Sequence, residues 1–154
     1  WANYNLEETQ NAIVDEVQRL VTTNAELMPG VIEALEYFKT KQLPTALASS
    51  SPLRLINALI TFYKIDHYFT IVRSAEFEQR GKPHPDVFLT TAKALNVSPE
   101  NCLVFEDSYN GVLAAKAAGM KCVAIPVAEH AAQERFKVAD EVWGSLAQIG
   151  TIKI

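Results

Sequence analysis

Short apolar runs alternate with segments of helical periodicity along most of this sequence. Strands that alternate with helices predict a parallel sheet with helices on both faces. The alternation therefore predicts an α/β fold before any single residue is considered. Strands are predicted at residues 43–49, 68–73, 102–106 and 121–126, and helices at 52–63, from Pro85 onward, and at 108–118, where Gly119 takes the C-terminal capping position.

The first twenty-odd residues are typical of one amphipathic helix, and residues 28–30 (Met-Pro-Gly) interrupt it. A second helix follows this break, which is the candidate domain boundary. Residues 138–149 predict a short edge strand and a last helix. The apolar face of the first helix comprises Ile13, Val17, Leu20 and Val21, and that of the second comprises Val31, Ile32, Leu35 and Phe38.

Composition restricts the classes of function. The 154 residues are 49% hydrophobic, enough for the core of one domain, and the net charge of −4 offers no basic surface for nucleic acid or an anionic membrane. No apolar run reaches the length of a membrane span, and the N-terminus does not resemble a signal peptide. A cytoplasmic location is the default expectation. Cys102 and Cys122 lie in apolar runs, where reduced, buried thiols are common.

In open parallel sheets, ligands bind beyond the carboxyl ends of the strands. Ser49, Ser50 and Ser51 follow the first predicted strand directly, and Pro52 opens the next helix. Free N–H groups at a helix start, together with hydroxyl groups, can bind a phosphate. The alternative is that a serine only caps the helix before proline.

A lysine occupies the next loop, in the stretch RGKPHPD at residues 80–86. Lys82 lies between glycine and proline, and a lysine held in this way can bring a compact positive charge to phosphate or carboxylate oxygens. The alternative is an ordinary solvated surface lysine.

Two adjacent acids, Glu106 and Asp107, follow the apolar run at residues 102–105. Neighbouring carboxylates repel each other unless a cation or a lysine neutralises them. Hard oxygen ligands at this edge suit Mg²⁺, which usually keeps several waters and shares a substrate phosphate. The alternative is that Asp107 or Ser108 caps the next helix while Glu106 faces solvent.

Together, these three stretches resemble motifs two, three and four of the haloacid dehalogenase (HAD) superfamily, a group of Mg²⁺-dependent phosphotransferases on a Rossmann-like sheet. The likeness rests on PGVIEALEYFKTKQLPTALASSSP, GKPHPDVFLTTAKALNV and VFEDSYNGVLAAKAAGMKCVAIP, and extends to VAEHAAQERFKVADEVW. It points to the β-phosphoglucomutase-like branch, and within it to phosphatases of 2-deoxyglucose 6-phosphate and hexitol phosphates.

The resemblance implies a role for each site residue. Ser49 would hydrogen-bond the phosphoryl group, with the Ser50 N–H beside it, and Lys82 would bridge phosphate and nucleophile. Asp107 would bind Mg²⁺, with Glu106 supporting that site or sharing the ion. Gly111 would let its helix pack closely against the sheet.

The sequence departs from the superfamily at its first motif, an Asp-x-Asp pair whose leading aspartate attacks phosphorus. No Asp-x-Asp pair occurs among the 154 residues. The expectation is a three-layer HAD-like core without its first, central strand at residues 28–154, preceded by a remnant of a helical cap domain at 1–27. The simplest explanation is a sequence incomplete at its N-terminus, and such a chain is expected to lack turnover and to be prone to self-association through the incomplete sheet.

The function predicted is therefore that of a Mg²⁺-dependent sugar-phosphate phosphatase, which works through an aspartyl-phosphate in the complete protein. Its partner would be a small phosphorylated sugar or sugar alcohol, with no nucleic acid and no membrane. Two alternatives remain open. One is a β-phosphoglucomutase, and the other is a non-catalytic module that binds phosphate or assembles with partners.

Overall fold

A computed structural model describes residues 5–127, 129 and 133–152 of the chain. Helices and strands alternate in it as the sequence predicts, and most strands are shorter than the apolar runs that indicated them. The helices are α1 (Leu6–Asn24), α2 (Val31–Thr40), α3 (Leu53–Phe62), α4 (Asp86–Leu95) and α5 (Tyr109–Ala117), and the strands are β1 (Ala46–Ser49), β2 (Ile71–Ser74), β3 (Leu103–Glu106), β4 (Lys121–Ala124) and β5 (Glu141–Val142).

The five strands among the described residues all pair in parallel, but they form two separate sheets. β1 pairs with β2, and Ser49 lies opposite Ser74 at the end of that ladder. β3, β4 and β5 form the second sheet in this order. Within the described ranges no ladder joins β1 to β3. The predicted α/β fold with a parallel sheet is confirmed, and the division into two sheets agrees with the expectation that a central strand is missing.

Helices on both faces connect the two sheets. On one face, Leu35 of α2 packs in the apolar cluster that includes Leu47 of β1, while Ala34 packs with Phe105 of β3. On the other face, α4 and α5 share one apolar cluster, against which both Ala48 of β1 and Val104 of β3 pack. The result is a three-layer arrangement in which the helices hold β1 and β3 in fixed relative positions.

Local sequence signals explain where the helices begin and end. The Ser108 hydroxyl caps α5 by accepting a hydrogen bond from the Gly111 N–H, and Pro85 occupies the N-cap of α4, as predicted. Gly119, just beyond α5, has a φ of +76°, a left-handed conformation that favours glycine. These signals fix the starts of the helices that follow the predicted site residues.

The predicted helix at the N-terminus is present, but its predicted apolar face is not buried by the described residues. Ile13 is 59% exposed and Leu20 is 43% exposed. The helix packs on α3 instead, and Val14 is its buried residue. Polar contacts support this packing: Arg54 forms an ion pair with Asp15 at 2.5 Å. The sequence pattern identified the helix correctly, whereas its buried side is set by α3.

The C-terminal part of the chain shows one further difference. The predicted edge strand is β5, but the predicted last helix is a six-residue 3₁₀ helix at Leu146–Thr151, capped by Ser145. Part of the tail that carried the family resemblance, residues 128 and 130–132, lies outside the described residues. None of the helices in the described ranges combines the length and the apolar character needed to cross a membrane.

Both cysteines are free thiols, as expected. Cys122 is buried in β4, and burial raises its pKa to about 12, so that the thiol stays protonated at neutral pH. Cys102 is only half-buried, and burial raises its pKa as well. A small, protonated thiol in an apolar cluster is a packing residue.

Candidate functional site

Lys82 connects the two sheets at their carboxyl ends. Its ammonium group donates a hydrogen bond to the Ala48 carbonyl of β1 at 3.3 Å and forms an ion pair with Glu106 at the end of β3. It also lies 4.6 Å from the centre of the Phe88 ring of α4. The side chains of Lys82 and Glu106 are only 9% and 8% exposed. The prediction of a specifically held lysine, rather than a solvated one, thus has a structural basis.

The burial of this ion pair determines its energetics. Each buried charge stabilises the other, because a buried charge without a partner lowers the free energy of unfolding by several kcal/mol. Lys82 has a carboxylate, a carbonyl oxygen and an aromatic face around it, which together compensate for its lost hydration. Loss of either partner in the Lys82–Glu106 pair would cost about 3–5 kcal/mol of stability.

Glu106 is fixed by the start of α5 as well as by Lys82. Its Oε2 atom accepts hydrogen bonds from the Ser108 hydroxyl at 3.0 Å and from the Ser108 N–H at 3.4 Å. Gly111 lies directly against the carboxylate, and a Cβ atom at this position would overlap it. The predicted close approach at Gly111 is thus an approach to the Glu106 side chain.

The serine turn lies beside this pair, at the end of β1. The Ser49 Oγ atom accepts a hydrogen bond from the Ser51 N–H at 3.1 Å, which leaves the hydroxyl proton of Ser49 available for a ligand. Ser50 is exposed. The next helix starts with Pro52 at its N-cap, where no side chain of the turn itself caps the helix. The turn therefore presents a hydroxyl and backbone N–H groups at the same sheet edge as Lys82.

Asp107 differs from its neighbour because it is exposed, one residue beyond the end of β3. Glu106 already has partners for both of its carboxylate oxygens, whereas none of the hydrogen bonds and ion pairs among the described residues involves the Asp107 carboxylate. In the part of the chain that the structure describes, no cluster of three or more His, Cys, Asp or Glu side chains could hold a metal ion. A carboxylate ligand or two suits Mg²⁺, which is commonly bound by few protein groups together with water and phosphate.

Two residues that sequence reasoning did not single out also contact the serine turn. Ser74, at the end of β2, donates a hydrogen bond from its hydroxyl to the Ser51 carbonyl at 2.6 Å. Glu76 accepts a hydrogen bond from the Leu53 N–H at 3.1 Å. A serine followed two residues later by an acid at a strand end is a local signal for a turn, but it does not reveal which segment the side chains contact.

Comparisons with known proteins agree on one family. Residues 3–119 match the sequence model of the haloacid dehalogenase-like hydrolases. Hexitol phosphatase B from Escherichia coli K12 is 35% identical over 149 residues, which cover 97% of this chain and 67% of that protein. The phosphorylated carbohydrates phosphatase of Thermotoga maritima is 37% identical over 117 residues, 76% of this chain and 54% of that protein.

Solved structures give the same result for the fold. CbbY from Rhodobacter sphaeroides, in complex with phosphate, has a TM-score of 0.86 at 26% identity, covering 96% of this chain and 67% of that one. β-Phosphoglucomutase from Clostridium difficile has a TM-score of 0.76 at 31% identity, covering 93% and 60%. The chain thus spans about two thirds of the length of the hexitol phosphatase and about half that of the Thermotoga phosphatase.

Proposed function

Because this chain belongs to the haloacid dehalogenase-like hydrolases and the two curated relatives named above are phosphatases, we propose that it carries the phosphate-binding part of a Mg²⁺-dependent phosphatase. The substrate would be a small phosphorylated sugar or sugar alcohol. The observation that carries the proposal is the buried Lys82, which is held between the Ala48 carbonyl and Glu106, the residues that directly precede Ser49 and Asp107. A fixed cation next to hydroxyl and N–H donors suits a phosphoryl group.

Each residue has a proposed part in this chemistry. The Ser49 hydroxyl and the Ser50 N–H donate to phosphoryl oxygens, and Lys82 offsets negative charge as the phosphoryl group moves. Asp107 binds Mg²⁺ directly, and Glu106 supports that site by fixing Lys82 and the start of α5. When bound, the Mg²⁺ ion would polarise a phosphoryl oxygen and neutralise developing charge.

The nucleophile of an aspartyl-phosphate mechanism is not supplied by this sequence, which contains no Asp-x-Asp pair. We therefore propose that these 154 residues bind phosphate but do not turn over a phosphomonoester. We also propose that residues 1–27 belong to a helical cap domain and residues 28–154 to the core, and that the protein works in the cytoplasm, where sugar phosphates are found.

The test combines turnover with binding. Hydrolysis of p-nitrophenyl phosphate, with and without Mg²⁺, is expected to be absent for this chain and present for a version extended at its N-terminus by a segment with Asp-x-Asp. Binding of inorganic phosphate, followed by amide chemical shifts, is expected for both versions. Turnover by the 154 residues that disappears in Asp107→Ala would contradict the inactivity and require another nucleophile.

Lys82 can be tested separately. Lys82→Met should abolish phosphate binding, whereas Lys93→Met, which changes an exposed lysine of α4, should leave it intact. Because Lys82→Met leaves Glu106 unpaired, the double variant Lys82→Met/Glu106→Gln provides a folded version without the buried charge. Phosphate binding by the double variant at the wild-type level would overturn the role of Lys82.

Two observations each favour one of the alternative functions, a mutase and a non-catalytic module. The likeness to β-phosphoglucomutase favours a mutase, which an extended chain would reveal by interconverting glucose 1-phosphate and glucose 6-phosphate instead of releasing phosphate. The absence of an Asp-x-Asp pair favours a non-catalytic module, which would bind phosphate or a partner and remain inactive in every extended version. The phosphatase is favoured because the curated relatives named above are phosphatases.

A further inference from the structure

The serine turn is attached to β2 through a buried hydroxyl group. Ser74 lies opposite Ser49 in the ladder between β1 and β2, and it is 1% exposed. Its Oγ atom donates to the Ser51 carbonyl at 2.6 Å and accepts from the Glu76 N–H at 3.1 Å. Both the donor and an acceptor position of this hydroxyl are thus in use, which fixes its orientation.

The backbone of Ser51 is held at both of its polar groups. Its N–H donates to the Ser49 hydroxyl oxygen, and its carbonyl accepts from Ser74. These two bonds fix the path of the chain between the end of β1 and Pro52. They therefore also set the direction of the Ser49 hydroxyl and of the Ser50 N–H.

Glu76 restrains the other end of the turn. Its Oε1 atom accepts from the N–H of Leu53, the first residue of α3. The first N–H groups of a helix have no partner within the helix and need an acceptor from elsewhere, and Pro52 at the N-cap has no side chain that could provide one. A carboxylate from the segment after β2 takes over this role, so one short stretch, residues 74–76, contacts both ends of the turn.

We infer that Ser74, assisted by Glu76, is a positioning residue for phosphate binding and acts through Ser51 and Leu53. The inference rests on the proposed function, since it assigns to the serine turn the phosphate contacts proposed above. Neither side chain touches the ligand in this arrangement. Small displacements of donor groups weaken binding and catalysis strongly, and a buried hydroxyl on a paired strand is a rigid support for the turn.

The test measures the affinity for inorganic phosphate through amide chemical shifts at saturating Mg²⁺. Ser74→Ala should weaken phosphate binding about threefold to tenfold, because one buried hydrogen bond to the turn is lost. Ser74→Thr keeps the hydroxyl group and should restore the affinity. Amide hydrogen exchange at Ser51 and Leu53 should become faster in Ser74→Ala and remain slow in Ser74→Thr.

Ser145 offers a matched control. Its hydroxyl also donates to a carbonyl of a distant segment, Pro29, at 2.9 Å and accepts from an N–H two residues further on, that of Ala147, at 3.1 Å. Ser145→Ala should therefore lower stability by a similar mechanism while leaving phosphate affinity unchanged. An equal loss of affinity in Ser145→Ala and Ser74→Ala would mean that Ser74 is merely structural.

The remaining outcomes are also decisive. If the wild-type chain binds phosphate and folded Ser74→Ala binds it equally well, the inference is wrong while the proposed function stands. If the wild-type chain binds no phosphate, the proposed function fails, and the inference fails with it. Should Ser74→Ala not fold, Glu76→Ala provides a second variant, because Glu76 is exposed and its loss should speed exchange at Leu53. Unchanged exchange at Leu53 would overturn the contribution of Glu76.

Discussion

At the scale of single residues, the contact between Gly111 and Glu106 connects the start of α5 to the proposed phosphate site. The Glu106 carboxylate occupies the space that a side chain at Gly111 would need. The same carboxylate forms an ion pair with Lys82 and accepts a hydrogen bond from the Ser108 hydroxyl. A side chain added at Gly111 should therefore displace the Glu106 carboxylate. The displacement would in turn disturb Lys82 at the proposed phosphate site.

Gly111→Ala is expected to destabilise the protein. Replacing a helical glycine by alanine normally stabilises a helix by about 1 kcal/mol, whereas overpacking a filled site costs about 1–3 kcal/mol. The overlap with Glu106 involves a side chain that is already fixed by Lys82 and Ser108, so we expect the cost to exceed the gain. Urea unfolding measures the difference.

Gly150→Ala is the control for this prediction, because among the described residues no atom beyond the local chain lies within 4 Å of the added Cβ atom there. Its stability should stay within about 0.5 kcal/mol of the wild-type value. If Gly111→Ala were as stable as Gly150→Ala, Glu106 would have to move freely, and its role in fixing Lys82 would be refuted.

Glu106 also shows what the sequence could not reveal at this scale. The pattern of an apolar run followed by two acids located the site at the end of β3, but it could not tell the two acids apart. Their difference is set by Lys82, which lies 24 residues away in sequence and makes Glu106 a buried ion-pair partner. Because the burial of Glu106 depends on a charge that is distant in sequence, the local pattern of apolar and polar residues cannot predict it.

At the scale of secondary-structure elements, Asp140 joins β4 to the end of α5. Its carboxylate accepts hydrogen bonds from the Lys116 ammonium at 2.6 Å and from the Cys122 N–H at 2.7 Å. Burial raises the pKa of Asp140, but these hydrogen bonds, the positive charge of Lys116 and the backbone N–H of Asp140 itself together lower it by more, so the pKa lies below its usual range. The ionised carboxylate thus contributes to the stability of the second sheet.

Asp140→Asn is expected to cost about 1 kcal/mol at neutral pH, a modest value because the side chain is 45% exposed and partly screened by solvent. A folded-state pKa below the unfolded-state value gives stability above the unfolded pKa, and this stability is lost as the pH falls through the folded pKa. The unfolding free energies of wild type and variant should therefore converge in acid. Urea unfolding at several pH values measures both.

The exposed Asp66 provides the reference substitution, since Asp66→Asn changes a surface side chain and should leave stability almost unchanged at neutral pH. If the difference between wild type and Asp140→Asn persisted at low pH, packing rather than charge would be its source.

Among the elements, the sequence predicted best those with strong local signals. The proline at the start of α4, the serine at the start of α5 and Gly119 after it have local physical causes, and the structure places them as predicted. The buried side of α1 was not predictable, because it depends on which helix lies beside it. The contacts of Ser74 and Glu76 were not predictable for the same reason, since they join the end of β2 to the turn that follows β1.

At the scale of the whole molecule, the space between β1 and β3 is the unusual feature. In a parallel ladder, successive residues direct their backbone groups alternately to either side. The Thr70 N–H donates to the Thr45 carbonyl, so the alternation directs the groups of Ala46 and Ala48 away from β2. Lys82 satisfies the Ala48 carbonyl, which confirms this direction.

The same reasoning applies to β3. The Lys121 and Ile125 N–H groups donate to the carbonyls of Cys102 and Glu106, so Leu103 and Phe105 direct their backbone groups away from β4. Two rows of backbone groups thus face each other between β1 and β3. Strand edges of this kind favour pairing with another chain.

We therefore expect this chain to self-associate through the space between β1 and β3, with sedimentation velocity showing larger species as its concentration rises across the micromolar range.

The exposed apolar face of α1 is a second surface that could drive association. Ile13→Lys/Leu20→Lys places charges on that face at exposed positions and leaves the strand edges untouched. Association through the strand edges should persist in this double variant and should be suppressed when an extension supplies a strand for the gap. A double variant that stays monomeric would assign the association to α1, and a wild-type chain that stays monomeric throughout would show that the helices and Lys82 close the gap.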